Sequence, residues 1–276
     1  MARRSTALPL HLPYFEDITT TYSTVRLEPE TDGSFTVIID GMESSHIHPD
    51  PTHLVFEYMR WIAAVITGTY PSEQPLAIAH LGGGAAALPR AIATLYPASK
   101  NSVVELDPGL LARVRDWVDL PRAPRVALRA ADAFEALHAW RDARFDIIIR
   151  DAFSHSLTPP PLRSAEAATQ AKRVLVPGGL YLANAALAPD QKELADEIVT
   201  LRSVFGHIEV IAEPSALKKR RRSNCILIAG GPGLSEATLR AIRADPVSVR
   251  VLEPSAVDKL AAGGTITHAE PPAPPA

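Results

Sequence analysis

The sequence has little cysteine and no long apolar run. Cys225 is the only cysteine, so the chain cannot form an intramolecular disulfide, and a reducing compartment is expected. His80, Arg90 and Arg60 interrupt the longest hydrophobic stretches, which argues against a membrane-spanning helix of about 18 residues. Polar residues follow the amino terminus too soon for a signal peptide. We therefore expect a cytoplasmic protein without a membrane partner.

The sequence also lacks a strong excess of either charge. Its formal net charge of −3 disfavours a general attraction to nucleic acid. With 46% hydrophobic and 21% charged residues, its 276 residues are typical of one soluble α/β domain with small additions. The one concentrated run, Lys218 to Arg222, is interpreted as a solvated hairpin, with binding of an acidic acceptor or RNA as the alternative. No aromatic residue interleaves the run, which weakens the RNA alternative.

The segment from Leu76 to Asp107 has the order strand, glycine turn, helix, strand, acidic residue. Ile78 to Leu81 form an apolar run, and Gly82-Gly83-Gly84 then allow a sharp turn and a close approach of the backbone to a ligand. Ala85 to Leu95 are predicted to form a helix. Glu105 ends the second apolar run about twenty residues after the glycines, where a carboxylate can accept hydrogen bonds from ribose hydroxyls. A ribose-bearing ligand is the first inference.

Strands and helices alternate through the rest of the chain. This rhythm predicts an α/β fold with a doubly wound, mostly parallel sheet of seven strands. The five strands after residue 120 are expected at 126–128, 145–150, 180–185, 208–212 and 225–228. Asp132 and Asp151 each follow one of these strands. The predicted helices include one that begins at Pro51-Thr52, before the first strand of this sheet, and one capped by Asp190.

We expect three parts along the chain. Residues 1–50 are assigned to a loose arm and a small β lobe, built on a hairpin around Asp32-Gly33 and followed by a polar loop from Gly41 to Pro51. Residues 51–232 are assigned to the nucleoside-binding domain. Residues 233–276 are assigned to a helix near Ser235 to Ala244 and a disordered proline-rich tail, 271–276.

Taken together, seven short stretches resemble the class I S-adenosylmethionine-binding fold and, more narrowly, the spermidine synthase family. They span roughly residues 35 to 230, and their order and spacing carry the resemblance. The stretches are Asp40-Gly41-Met42-Glu43-Ser44, Asp50-Pro51-Thr52-His53-Leu54, His80-Leu81-Gly82-Gly83-Gly84, Val104-Glu105-Leu106-Asp107, Asp132, Asp151-Ala152-Phe153-Ser154 and Val176-Pro177-Gly178-Gly179.

The resemblance implies a pocket for S-adenosylmethionine, or its decarboxylated form, at Gly82, Gly83 and Gly84. Glu105 would bind the ribose hydroxyls, and Asp107 could share or take that role. Asp132 with Ala133 would contact the adenine.

By the same resemblance, Asp151 would orient the acceptor amine and take its proton, because an ammonium has no lone pair for attack. The implied reaction is aminopropyl transfer to a small amine in polyamine biosynthesis. The sulfonium is already an activated leaving group, so the reaction needs no metal. A homodimer or a homotetramer is also implied.

Four departures from the family pattern keep other functions open. Ala85-Ala86 replace the Asp-Gly of the family's Gly-Gly-Gly-Asp-Gly turn, which removes a charge-assisted hydrogen bond worth roughly 1.5–3 kcal/mol to the donor's amino group. The family's second carboxylate after Asp151, its glutamine near Glu43 to Ser45 and its tyrosine beside Pro214 are also missing. Methyl transfer to an unidentified acceptor and a non-catalytic nucleoside-binding protein are the alternatives. An NAD-dependent dehydrogenase is disfavoured, because the Gly-x-Gly-x-x-Gly spacing is absent.

Simpler roles are open for each singled-out residue. Asp151 could cap a loop or pair with Arg150, Glu105 could be a solvated strand end, and Asp132 could cap a helix. A histidine group, His46, His48 and His53 with Asp50, matches no compact metal-ligand spacing, so zinc is disfavoured. One of these histidines, or His155, could be a base near the acceptor.

Overall fold

A computed structural model describes residues 12–154, 157–188, 190–218 and 222–270. The start of the expected arm (1–11), the proline-rich tail (271–276), His155 and residues 219–221 of the basic run lie outside these ranges. Among the described residues, no helix is long and apolar enough to cross a membrane.

The small N-terminal lobe is an antiparallel sheet of four strands: β1 (Ile18–Thr19), β2 (Thr24–Pro29), β3 (Phe35–Ile39) and β4 (Met42–Ile47). The predicted hairpin is the β2–β3 pair, in which Val25 lies opposite Ile39. The prediction of a polar loop from Gly41 to Pro51 was wrong. Its first half is β4, whose sequence Met-Glu-Ser-Ser-His-Ile has too little apolar alternation to indicate a strand.

The main sheet has the order β12-β10-β11-β9-β8-β5-β6-β7. Its strands are β5 (Ala77–Leu81), β6 (Lys100–Glu105), β7 (Val126–Ala130), β8 (Phe145–Arg150), β9 (Leu175–Leu187), β10 (Ile208–Ala212), β11 (Ser223–Gly230) and β12 (Arg250–Val251). Strands β5 to β9 pair in parallel, and β9, β11, β10 and β12 pair antiparallel. The predicted fold class is confirmed, but the count of seven strands was one too low. The two-residue edge strand β12 is too short to show a period.

Nine α-helices and one 3₁₀ turn, Pro160–Arg163, lie between or after the described strands. The helices are α1 (Glu57–Thr69), α2 (Ala87–Leu95), α3 (Pro108–Trp117), α4 (Ala133–Ala139), α5 (Ala165–Val174), α6 (Lys192–Phe205), α7 (Pro214–Leu217), α8 (Glu236–Arg243) and α9 (Pro254–Ala261). Helix α1 begins at Glu57 and not at Pro51, because Asp50 Oδ1 accepts hydrogen bonds from the amide and hydroxyl of Thr52 in a turn. Gln191, and not Asp190, precedes α6.

Alternate residues of the central strands pack into two apolar layers, one on each face of the sheet. Ile147 and Ile149 pack in the layer that contains α1 and α2, whereas Ile148 packs in the layer that contains α5 and α6. Burial on both faces explains why these strands are apolar almost throughout. Since the parallel strands end at one edge of the sheet, the loops that follow β5, β6, β7 and β8 lie together.

Candidate active site

A cavity of about 860 Å³ opens at this edge of the sheet. The N-terminal sheet and the loops after the parallel strands form its walls. All of the predicted site residues line it, with Ala133 supporting Asp132 at the start of α4: Gly82, Gly83, Gly84, Glu105, Asp107, Asp132, Ala133 and Asp151. The sequence therefore predicted which positions meet, and the structure shows how each is held.

The glycine turn packs directly against the end of β8. Gly82 has φ +90°, and a Cβ built on it would lie 2.2 Å from the carbonyl oxygen of Asp151. The Asp151 amide donates a hydrogen bond of 2.8 Å to the carbonyl oxygen of Leu81. Only glycine allows this approach, which fixes the distance between the glycine turn and Asp151.

Glu105 is bound to the glycine turn. Its Oε2 accepts hydrogen bonds of 3.0 Å from the amides of both Gly83 and Gly84. Its Oε1 accepts from the amide of Asp107 at 3.2 Å. The carboxylate is thus oriented at the cavity wall before any ligand arrives, and is not the solvated strand end that was one alternative.

Asp107 joins the N-terminal segment to α3. Its Oδ1 accepts from the amides of Gly109, Leu110 and Thr21. Its Oδ2 accepts from the hydroxyls of Thr20 and Ser23 and from the amide of Tyr22. Burial raises the pKa of Asp107, but these hydrogen bonds outweigh it and lower the pKa to about 2. Six donors fill its oxygens, so the structure shows a cap and a tether at this position.

Asp132 and Ala133 form the start of α4. Asp132 Oδ1 accepts a hydrogen bond of 3.0 Å from the amide of Glu135, so the helix-cap interpretation is confirmed. The Asp132 side chain is nevertheless exposed at the cavity, with Ala133 buried beside it. A contact with adenine remains a prediction for this pair.

Asp151 is held by two side chains that the sequence did not single out. The Tyr58 hydroxyl donates to Oδ2 at 3.0 Å, and Asn184 Nδ2 donates to Oδ1 at 2.9 Å. Burial raises the pKa of Asp151, and the two hydrogen bonds oppose that rise only in part. Burial and the neighbouring Asp151 charge raise the pKa of Tyr58. The carboxyl group is therefore enclosed, oriented and easier to protonate than an exposed aspartate.

The alternative pairing of Asp151 with Arg150 was wrong. The fully buried Arg150 donates to the Glu197 carboxylate and to the carbonyl oxygen of Asn184, on the far side of the strand from Asp151. Asn184 Oδ1 is buried and accepts no hydrogen bond from any residue that the structure describes. Asn184 also lines the cavity.

Ala85 and Ala86 close the glycine turn. Ala85 is fully buried, and its amide donates to the Ser45 hydroxyl at 3.2 Å. A bulge in the β3–β4 pairing directs two successive serines here, since a Cβ on Gly84 would lie 3.2 Å from Ser44 Oγ and 3.1 Å from Ser45 Oγ. Ala86 adopts φ +61°, a left-handed conformation that suits glycine.

The predicted histidine group lies elsewhere. His46 pairs with Glu30 at 3.1 Å, and the His48 and His53 rings contact each other with centroids 4.3 Å apart. None of the three lines the cavity. Within the described ranges, no three His, Cys, Asp or Glu side chains are arranged to hold a metal ion. His155, the other candidate base, lies outside the described residues, so its role stays a prediction.

No protein-family model matches this chain. A curated polyamine aminopropyltransferase from Vibrio vulnificus is 28% identical over 160 residues, which cover 57% of this chain and 52% of that protein. A curated eEF1A lysine and N-terminal methyltransferase from Bos taurus is 31% identical over 144 residues, covering 48% of this chain and 20% of that protein. The matched region thus spans about half of the first relative and a fifth of the second.

A solved structure matches over nearly its whole length. The crystal structure of a probable spermidine synthase from Corynebacterium glutamicum superposes with a TM-score of 0.87 and 36% sequence identity. The match covers 94% of this chain and 98% of that one. With this identity over almost the whole of both chains, the chain described here belongs to the spermidine-synthase-like family.

Proposed function

We propose that this protein transfers an aminopropyl group from the sulfonium of decarboxylated S-adenosylmethionine to an amine, the reaction type that builds polyamines. The observation that carries the proposal is the position of Asp151. It shares one cavity with the glycine turn and Glu105, and two neutral donors, Tyr58 and Asn184, orient its carboxylate toward that cavity. The family membership and the aminopropyltransferase relative support the same reaction.

The nucleoside is proposed to bind at the ends of β5, β6 and β7. Glu105 would accept hydrogen bonds from the ribose hydroxyls with the lone pairs that the glycine amides leave free. Asp132 and Ala133 would contact the adenine from the start of α4. Carboxylates are concentrated in this part of the cavity, which favours a cationic sulfonium over a neutral nucleoside.

The transfer step requires a neutral amine. The nitrogen lone pair attacks the carbon bonded to sulfur, a C–N bond forms, and the C–S bond breaks with its electron pair moving to sulfur. The sulfonium becomes a neutral thioether, methylthioadenosine. Asp151 accepts the proton that the acceptor ammonium loses before this attack and passes it to solvent, and the new secondary amine leaves as its ammonium ion. A pKa raised by burial brings the carboxylate closer to the range in which a base accepts a proton readily.

Methyl transfer is the second candidate, and Ala85 favours it. The aminopropyl donor carries an ammonium that the family binds with an aspartate, and Ala85 offers only a methyl group there. Against this, Asp40 and Glu43 line the same cavity from the N-terminal sheet and can provide a carboxylate from the opposite wall. The similarity to a methyltransferase gives this second candidate independent support.

The remaining assignments are proposals of the same rank. We propose the three-part organisation 1–50, 51–232 and 233–276, a cytoplasmic location and a homo-oligomer of two or four chains. The location rests on the single cysteine, Cys225, which is buried.

Calorimetric titration tests the function. We expect binding of at least one nucleoside among S-adenosylmethionine, its decarboxylated form and methylthioadenosine, and no binding of NAD. A preference for the decarboxylated donor supports aminopropyl transfer, and a preference for the carboxylated donor supports methyl transfer. Absence of binding by all three sulfur nucleosides contradicts both candidates.

A further inference from the structure

The charges lining the cavity are divided between its two halves. Six carboxylates lie on the nucleoside half, on the N-terminal sheet or after β6 and β7: Asp40, Glu43, Glu105, Asp107, Asp132 and Glu135. The acceptor half is formed by β9, the start of β11 and the segment after β8. Asp151 is the only carboxylate that the described residues contribute to it.

The segments that interrupt the described chain next to these residues in sequence, 155–156, 189 and 219–221, contain no Asp or Glu. The wall between Asp151 and the far end of the cavity combines apolar side chains, Phe153, Leu162 and Leu187, with neutral polar ones, Ser154, Ser223 and Asn224.

Arg222 lines the far end of the acceptor half. It directly precedes Ser223, which pairs with Leu187, whereas Asn184 pairs with Ile226. Arg222 thus lies beside Ala188, four residues along β9 from Asn184, or about 13 Å at the usual rise per residue. Since Asn184 donates a hydrogen bond to Asp151, the Asp151 carboxylate and the Arg222 guanidinium lie at opposite ends of one wall.

We infer that the acceptor is an amine with an anionic far end, such as an ω-amino acid, whose amine binds at Asp151 and whose carboxylate binds at Arg222. The inference rests on the proposed function and narrows its acceptor. A diamine of the same length would place its second ammonium beside the Arg222 guanidinium, which repels it, where the described lining offers neutral side chains and no carboxylate. A carboxylate there forms a charge-assisted pair with arginine.

Competition between matched acceptors tests this inference. ω-Amino acids and α,ω-diamines of about four to eight carbons are compared with whichever donor the calorimetric titration finds to bind. Thioether nucleoside release and the mass of the product give kcat/KM for each acceptor. We expect the best amino acid to exceed the matched diamine by about tenfold or more. Arg222→Gln should remove the preference, and Arg222→Glu should reverse it.

Lys218→Glu is the matched control. Lys218 belongs to the same basic run and undergoes the same charge change, but it does not line the cavity. We expect it to keep the wild-type preference. A wild-type preference for diamines, or equal effects of Arg222→Glu and Lys218→Glu, overturns the inference.

Nucleoside titration separates the two proposals. Both Arg222 variants should bind the donor as the wild-type protein does. If the wild-type protein binds no sulfur nucleoside, the proposed function itself is wrong. If it binds the nucleoside but prefers diamines, only the acceptor assignment is wrong.

Discussion

The two halves of the cavity hold their carboxylates in different ways. In the nucleoside half, Glu105 and Asp132 accept hydrogen bonds from backbone amides, and Asp107 accepts from amides and hydroxyls that lower its pKa to about 2. In the acceptor half, Asp151 is bound by two side chains, and burial raises its pKa. Asp107 and Asp151 are the same residue type with opposite shifts. The Asp107 carboxylate is stabilised as an anion and holds the fold together, whereas the Asp151 carboxylate accepts a proton more readily.

The largest expected effect tests the acceptor half. Asp151→Asn preserves the shape but replaces one acceptor oxygen with an N–H donor and cannot accept the proton, so turnover should fall by about 10²–10⁴-fold. Nucleoside affinity measured by calorimetry should stay within a few fold, because Asp151 lies outside the nucleoside half. Asp190→Asn, at an exposed aspartate that does not line the cavity, is the control and should leave both quantities unchanged. Unchanged turnover in Asp151→Asn would remove this residue from the mechanism.

The next largest effect tests the nucleoside half as scaffold. Asp107→Asn removes the charge that six donors stabilise, and we expect the free energy of unfolding to fall by about 2 kcal/mol at neutral pH. Urea unfolding measures this. The folded-state pKa of about 2 lies below the unfolded value, so the contribution is complete above the unfolded pKa of about 4 and is lost as the pH falls towards 2. A difference between wild type and variant that persists at pH 2 would contradict this assignment.

A smaller effect concerns the donors around Asp151. Tyr58→Phe removes a hydrogen bond that lowers the pKa of Asp151, so that pKa should rise further. The acid limb of the pH dependence of kcat/KM should then move to higher pH, by up to about one unit. Tyr70→Phe, at the other end of α1 and outside the cavity lining, is the control. An unshifted limb with intact folding would show that Tyr58 does not tune Asp151.

The nucleoside half was readable from the sequence because its signals are local. The glycine turn, Glu105 and the cap at Asp132 all depend on strand ends and backbone turns within a few residues. Asp151 was found for the same reason, since a strand of β-branched residues ends immediately before it. Parallel strands bring these positions to one edge without further information.

The acceptor half was only partly readable because its partners meet through tertiary packing. Tyr58 fits the apolar face of α1 by spacing, and nothing local distinguishes its hydroxyl from that of a core tyrosine. Asn184, a polar residue within the apolar strand β9, was a signal that could have been used. Arg222 was recognised only as part of a charge run, because its place beside Ala188 depends on the register of β9 and β11.

The smallest effect returns to the backbone of the nucleoside half. Ala86 adopts φ +61°, which costs an alanine roughly 1–2 kcal/mol. Glycine removes this cost, but part of the gain is lost because glycine gives the unfolded chain more conformational freedom. We therefore expect Ala86→Gly to raise the free energy of unfolding by up to about 1 kcal/mol in urea. Ala91→Gly, in the buried interior of α2, should instead lower it by about 1 kcal/mol or more. If both changes destabilise equally, Ala86 does not occupy the left-handed conformation. If they differ in sign, the turn keeps the glycine geometry of its family although the glycine itself is absent.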